Sequence, residues 1–266
     1  MKLPLFLKPI YSSDLIRVGK LNDGGYIVSK NSILDANYLV SFGLNDDWSF
    51  EKNFSELNNQ APILVFDAQV TTFFWLKRFL KDTIYLVKKE IKIRDYLINL
   101  LTFFKNKKFF SKKDITHFKK NITPNNLKNI SKLKSSTSII KLLTNQNIEK
   151  EFLLKIDIEG NEYAILEDII KVQSKLTGLV LEFHNCFIMR EHIQNFLNKI
   201  NLDLVHIHVN NYGEVTKDDF PNVIEMTFSK RIYNYLRKKD EFKFPNNLLD
   251  SPNNPKFEDK EITFEQ

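Results

Sequence analysis

The sequence predicts an α/β fold built on a doubly wound, mostly parallel sheet, with a basic helical insertion. Three observations predict it. Short apolar runs recur along the chain: Tyr38 to Phe42, Ile63 to Phe66, Phe152 to Ile156 and Gly178 to Leu181. Stretches of helical period separate them, as crossover connections between parallel strands require. The runs end on glycine or an acid, at Gly43, Asp67, Asp157 and Glu182, which is where such sheets bind ligands.

The elements follow in order. Asn22-Asp23-Gly24-Gly25 is a turn signal between Leu15 to Val18 and Tyr26 to Ser29, and it predicts a hairpin or a tight loop. The first buried strand, Tyr38 to Phe42, runs into Gly43-Leu44-Asn45-Asp46-Asp47, and a helix is expected over Trp48 to Leu57. Ile63 to Phe66 is the next strand. Val70 to Lys120 reads mostly as long amphipathic helix, with Phe74, Lys77, Arg78 and Lys81 alternating with Trp75, Phe79 and Leu80. Thr123-Pro124-Asn125-Asn126 breaks it, and a further helical stretch starts over Ser138 to Leu143. Phe152 to Ile156, a helix over Asn161 to Val172, Gly178 to Leu181, a helix over Glu191 to Ile200, and strands at Leu204 to Asn210 and Val223 to Phe228 complete the sheet. From Asp240 the chain is rich in Pro, Asn and charge and reads as an extended tail over 240–266.

Length and composition bound the function. With 266 residues, 42% hydrophobic and 27% charged, one domain over 1–266 can bury a full core. A single cysteine, Cys186, excludes an intrachain disulfide and a cysteine-based zinc site. Met1 to Ile10 is too short and too proline-interrupted for a signal segment, and Tyr96 to Phe104 is half of a membrane span. The expectation is a soluble, cytoplasmic protein.

Charge is uneven. The insertion, 70–134, carries 17 Lys/Arg against 4 Asp/Glu, a local net of +13 on a chain of net +6, so the remainder is at −7. Most of these lysines read as a solvated helical face. The sharper reading is a surface for something anionic: a nucleotide diphosphate, a charged glycan or a membrane. No finger, RNP or helix-turn-helix pattern accompanies the charge, so nucleic acid is not an expected partner.

Candidate chemistry lies at the strand ends. Gly43 lets the backbone approach a ligand closely, although Ser41 to Asp47 has one glycine and matches no dinucleotide or Walker fingerprint. Asp67 is placed to accept from ribose hydroxyls or to cap a helix. Together they suit an adenosine cofactor without a pyrophosphate. In Lys155-Ile156-Asp157-Ile158-Glu159-Gly160-Asn161-Glu162, residues 155, 157 and 159 share one side of an extended strand end. Asp157 and Glu182 are placed either to share a hard divalent cation or to be one capping and one exposed acid. His206, His208 and Asn210 share one strand face, with Val205, Ile207 and Val209 on the other. A neutral imidazole there can serve as a general base near neutral pH.

These segments resemble one family. Arg17 to Val28 (RVGKLNDGGYIV), Tyr38 to Glu51 (YLVSFGLNDDWSFE), Val65 to Ala68 (VFDA) and Leu153 to Leu166 (LLKIDIEGNEYAIL) resemble the FkbM-type S-adenosylmethionine-dependent methyltransferases. Leu179 to His184 (LVLEFH), His206 to Gly213 (HIHVNNYG) and Leu249 to Pro255 (LDSPNNP) complete the order; 70–134 matches nothing in it. The resemblance implies a class-I, Rossmann-like methyltransferase fold. It implies O-methyl transfer to a sugar hydroxyl of a nucleotide-sugar or surface-polysaccharide precursor. It places Phe42, Gly43, Leu44, Asp47, Asp67 and Asp157 around S-adenosylmethionine, with Gly25 and Tyr26 closing over its methionine end. It also implies a divalent ion, Mg²⁺ or Mn²⁺, on Asp157 and Glu182. Some related sugar O-methyltransferases carry an extra acid directly after the second ligand; here Phe183 stands there, and His184 or His208 is left to supply the missing ligand. His208, or else His184, is the expected proton acceptor.

Two other readings compete. A metal-dependent glycosyltransferase would use Asp157 and Glu159 as a loose D-x-D pair. A membrane-associated scaffold would use the basic amphipathic segment 73–110. Peripheral membrane contact is compatible with catalysis, and the apolar insertion is also a plausible homo-oligomer surface.

Overall fold

The computed structural model describes residues 1–127, 135–213, 215–216, 219–230 and 243–265. In chain order the elements begin with β1 (Lys2–Leu3), β2 (Leu15–Val18), β3 (Tyr26–Ser29), α1 (Lys30–Leu34), β4 (Leu39–Phe42), α2 (Ser49–Leu57) and β5 (Ile63–Phe66). The insertion follows with α3 (Thr72–Val87), α4 (Ile93–Phe109), β6 (Ile115–Phe118), β7 (Asn121–Ile122) and β8 (Ser136–Thr137). Then come α5 (Ile139–Asn145), β9 (Phe152–Ile156), α6 (Glu162–Val172), β10 (Leu176–His184), α7 (Arg190–Leu197), β11 (Asp203–Val209), β12 (Val223–Ser229) and β13 (Thr263–Phe264).

Seven strands form the central sheet in the order β11-β12-β10-β9-β4-β5-β6. β12 runs antiparallel to both neighbours, and the other pairs are parallel. This is the doubly wound, mostly parallel arrangement that the sequence predicts. β4, β5 and β9 are buried along their whole length, and their sequences LVSF, ILVF and FLLKI are apolar but for Ser41 and Lys155. Strands covered on both faces need that continuity rather than alternation. One apolar layer packs α5, α6 and α7 on one face; the other face carries β2, β3, α1, α2 and the roots of α3 and α4.

Two expectations change. The stretch 70–120 is not one long helix: α3 and α4 are separate, broken at Lys89, whose φ is +59°. Nor is 70–134 wholly an insertion. Ile115–Phe118 is the edge strand of the central sheet, pairing with β5 from Ile63↔Ile115 to Phe66↔Phe118. Only Ile115 of that strand is buried, so it lacks the apolar run that marks the central strands. Residues 128–134 lie outside the described part. The tail, where described, is anchored. β13 pairs in parallel with β1, and Ile262 donates to the Phe244 carbonyl. The tail is also tied to the β2–β3 loop. Arg17 donates to the Leu249 carbonyl (3.1 Å), Asn22 to Pro252 (2.8 Å), and the Asp23 amide to Asn253 (3.3 Å). Residues 240–242 and 266 lie outside the described part.

Candidate active site

Strand register builds the rim. Phe42 pairs with Ile156 and with Phe66, and Ile156 pairs with Leu181. Gly43, Asp67, Asp157 and Glu182 therefore each sit one residue past a mutually aligned row. The ladder continues through them: Gly43 N–H donates to Phe66, Asp157 N–H to Phe42 and Asp67 N–H to Phe118. Across the antiparallel strand the same row runs on, Glu182 opposite Glu225 and Glu225 opposite His208. One glycine, four acids and a histidine thus lie along a single line of the sheet.

A cleft of about 930 Å³ opens over the near part of this line. Gly43, Leu44, Asp47, Asp67, Asp157, Glu182 and His184 line it. That is within the usual size range for small-ligand sites. Gly43 has φ +80°, and a Cβ there would overlap the carbonyl oxygen of Asp157. The position demands glycine on both grounds. Asp67 organises the loops on both sides. Its Oδ2 accepts from the amides of Leu44 (2.9 Å) and Asn45 (3.1 Å), and its Oδ1 from Gln69 (2.6 Å) and Val70 (3.2 Å). A carboxylate has about four lone-pair sites, so Asp67 is first a loop anchor. Asp47 caps the Ser49 amide at 2.9 Å and pairs with Lys20 at 2.8 Å.

The acids meet at the centre. Tyr26 Oη lies 3.1 Å from Asp157 Oδ2 and 2.9 Å from Glu182 Oε2. Asn210 donates to Glu182 Oε1 at 2.9 Å. Glu182 is 4% exposed. Burial first, then the charges of Asp157 and Glu225, raise its pKa well above the usual carboxylate range. The Tyr26 hydroxyl is likewise pushed up, by burial and then by Asp157 and Glu182. His184 Nδ1 bonds Glu162 Oε1 at 3.1 Å, so its Nε2 turns toward Glu159 (3.4 Å) and Glu182 (3.8 Å). Burial would lower the His184 pKa, but the bond to Glu162 and the nearby acids outweigh it and raise it.

Asp157, Glu182 and His184 each offer one ligand atom, all within 4.8 Å of one another. The two carboxylate oxygens suit a hard divalent ion, and the imidazole beside them is oriented by a third carboxylate, Glu162. The mutually repelling acids, Glu182 buried and Asp157 half-buried, are the chemistry a cation would relieve. The residues present fit such an ion.

Four expected residues do not line the cleft. Tyr26, 2% exposed, meets it only through its hydroxyl on Asp157 and Glu182. Phe42 is wholly buried in the apolar core and contributes only its carbonyl, which receives the Asp157 amide. Gly25 does not line the cleft; Gly24 does. His208 is corrected most sharply. It lies on the same row but beyond Glu225, 3% exposed, under the tail. Its Nδ1 faces Glu225 at 3.2 Å and its Nε2 faces Asp259 at 2.9 Å. Burial alone would lower its pKa, but Asp259 and Glu225 hold it at about 10. An imidazolium clamped between two carboxylates is not poised to accept a proton. His206 also faces the tail, 3.1 Å from Asp250. The polar face of His206 and His208 on β11 is real, but of that row only Asn210, one residue past the strand, lines the cleft. Glu159 is not on the strand: β9 ends at Ile156, and Glu159 sits in a turn at φ +55°.

The sequence pattern alone does not assign Lys155, Asn210 or Glu162. Buried Lys155 donates to the Gly43 carbonyl at 2.9 Å and lies 3.7 Å from Asp157. Burial opposes its charge, but Asp157, Glu51 and Glu182 together raise its pKa. It ties the glycine loop to the acid cluster. Glu162 accepts the amides of Ile158 and Gly160 while orienting His184. An acid in the first turn of a helix, just past a Gly-Asn turn, is the available signal for that role.

No protein-family model and no curated protein matches the chain. Among solved structures it is similar to a precorrin-6y C5,15-methyltransferase from Geobacter metallireducens GS-15, at 12% identity. The alignment covers 76% of this chain and 85% of that one, with a TM-score of 0.34.

Proposed function

We propose that the chain is an S-adenosylmethionine-dependent O-methyltransferase acting on a sugar hydroxyl of a nucleotide-sugar or surface-polysaccharide precursor, assisted by a divalent ion. One observation carries the reading. The glycine loop, Asp67, Asp157, Glu182 and His184 converge on one cleft at the carboxyl ends of the parallel strands. The loop's lone tight glycine and the acid on the next strand suit a nucleoside without a pyrophosphate. Bound there, S-adenosylmethionine supplies a methyl group that is already electrophilic. The protein's task is then to hold the acceptor oxygen in line and to remove its proton.

Leu44 and the Gly43 backbone form the floor for the nucleoside, kept in place by Asp67 and Lys155. Asp157 and Glu182 would hold the ion, which would supply the charge that makes the acceptor hydroxyl more acidic. His184 accepts the proton at Nε2, because Glu162 holds its Nδ1–H. Positioning supplies most of the acceleration, since well-oriented pairs reach effective molarities of about 10⁵–10⁸ M.

The test is methyl transfer from labelled S-adenosylmethionine to a panel of nucleotide-sugars and polysaccharide precursors, with and without Mg²⁺. Mass spectrometry then locates the added methyl group. Asp157→Ala is expected to abolish incorporation. Near-normal turnover in that variant would remove the metal role, and no incorporation into any sugar would remove the substrate class.

A further inference from the structure

The helical pair α3–α4 carries two apolar stripes left exposed among the described residues. On α3, Phe73, Leu76, Leu80, Ile84 and Val87 recur at steps of three and four residues and are all exposed, Leu80 at 52% and Val87 at 78%. On α4, Ile93, Leu97, Leu101 and Phe104 do the same. None of these nine belongs to either apolar core. Each stripe lies on the side of its helix turned away from the body. Trp75 of α3 and Phe109 of α4 take the inward side, and Trp75 meets Phe103 where the helices pack. A patch of this extent on a soluble surface marks an interaction site.

Its charge says what covers it. From Thr72 to Lys113 there are 12 Lys/Arg and 3 Asp/Glu. At 100° per residue, Lys77, Lys81 and Lys88 fall along one edge of the α3 stripe, and Arg94, Lys105 and Lys108 beside that of α4. Lys77 lays its stem over Phe73, with Nζ 4.6 Å from the ring centre. That posture buries methylenes on apolar surface and keeps the ammonium at its margin. A second copy would bring the same positive margin against this one. An anionic bilayer surface offers the opposite charge and accepts the apolar side chains. The helices have 16 and 17 residues, and no described helix is long and apolar enough to cross a membrane. An amphipathic pair of this kind lies in the interface rather than across it.

We propose that α3–α4 is a docking surface for an anionic lipid bilayer, with the two apolar stripes immersed at the headgroup level and the flanking lysines on the phosphates. The proposal is independent of the methyl-transfer reading.

The experiment is flotation of the full chain with vesicles of phosphatidylcholine and phosphatidylglycerol (3:1), against phosphatidylcholine alone. The chain is expected to float with the anionic vesicles. Partitioning should fall by roughly tenfold or more on neutral vesicles or in 0.5 M salt. Replacing Lys77, Lys81 and Lys88 together by Gln is expected to weaken partitioning about 100-fold, from about fivefold per lysine. The pair Leu80→Glu and Ile84→Glu, both on the exposed stripe, should abolish flotation without lowering the melting temperature. Equal partitioning onto neutral and anionic vesicles, or no flotation at all, overturns the proposal. So does a dimer in sedimentation that the same Leu80→Glu change dissociates, because a second copy would then own the face.

Discussion

Replacing His208 by Gln tests whether this histidine is a structural cation rather than a base. The change keeps much of the volume and removes the charge. It leaves the carboxylates of Glu225 and Asp259 facing each other, with the Asn253 amide, 2.6 Å from Glu225, and the Lys260 N–H, 3.0 Å from Asp259, still in place. Breaking a buried pair from one side costs about 3–5 kcal/mol. Linkage gives a similar figure by a separate route. A folded pKa of about 10 against an unperturbed value of about 6.5 corresponds to roughly 5 kcal/mol. Asp259 is partly solvated, so about 3 kcal/mol is the expected loss at pH 7, or a fall of about 6–12 °C in melting temperature. The folded value lies above the unfolded one. The contribution is therefore whole below about pH 6.5 and is lost as pH rises through about 10. Urea denaturation of both proteins between pH 6 and 10.5 should show the gap closing across that window. A gap constant over the whole range, or a Gln variant as stable as the parent at pH 7, would refute the reasoning.

Other outcomes follow from the cleft. Gly43→Ala forces a Cβ into the Asp157 carbonyl at φ +80° and should destabilise by about 2 kcal/mol or more, with loss of nucleoside binding in calorimetry. Glu182→Gln keeps the Asn210 contact and replaces a carboxyl whose pKa is already raised. Without metal its stability should stay within about 1 kcal/mol of the parent's, while the Mg²⁺-induced rise in melting temperature disappears. His184→Gln should lower kcat about 10²–10⁴-fold at unchanged Mg²⁺ affinity; a matching loss of Mg²⁺ affinity would make His184 a ligand instead of the proton acceptor. Asp67→Ala removes the acceptor for four backbone amides and should weaken nucleoside affinity with a smaller effect on Mg²⁺-induced stabilisation.

Much of the fold is legible because the central strands are buried on both faces. Ile63–Phe66 and Phe152–Ile156 must be apolar throughout, and the acids that follow them mark the strand ends. β6 escapes notice because an edge strand with one buried residue carries little apolar signal. The α3–α4 break also lacks a strong marker, since it turns at a lysine rather than a glycine or proline. The rim of Gly43, Asp67, Asp157 and Glu182 follows from strand ends alone, because parallel strands in register bring their final residues level. His208 misleads for a different reason. Alternation places it on the polar face, but its burial depends on Asp259, which is 51 residues away in sequence. Glu162 and Lys155 act through backbone atoms of a loop, a role that residue type does not announce.

The most direct measurement is calorimetric titration of the intact chain with S-adenosylmethionine, run beside the Gly43→Ala variant. The account predicts one molecule bound per chain and loss of that binding in the variant. A folded parent protein that takes up none of the nucleoside, or a variant that binds it equally well, would contradict it.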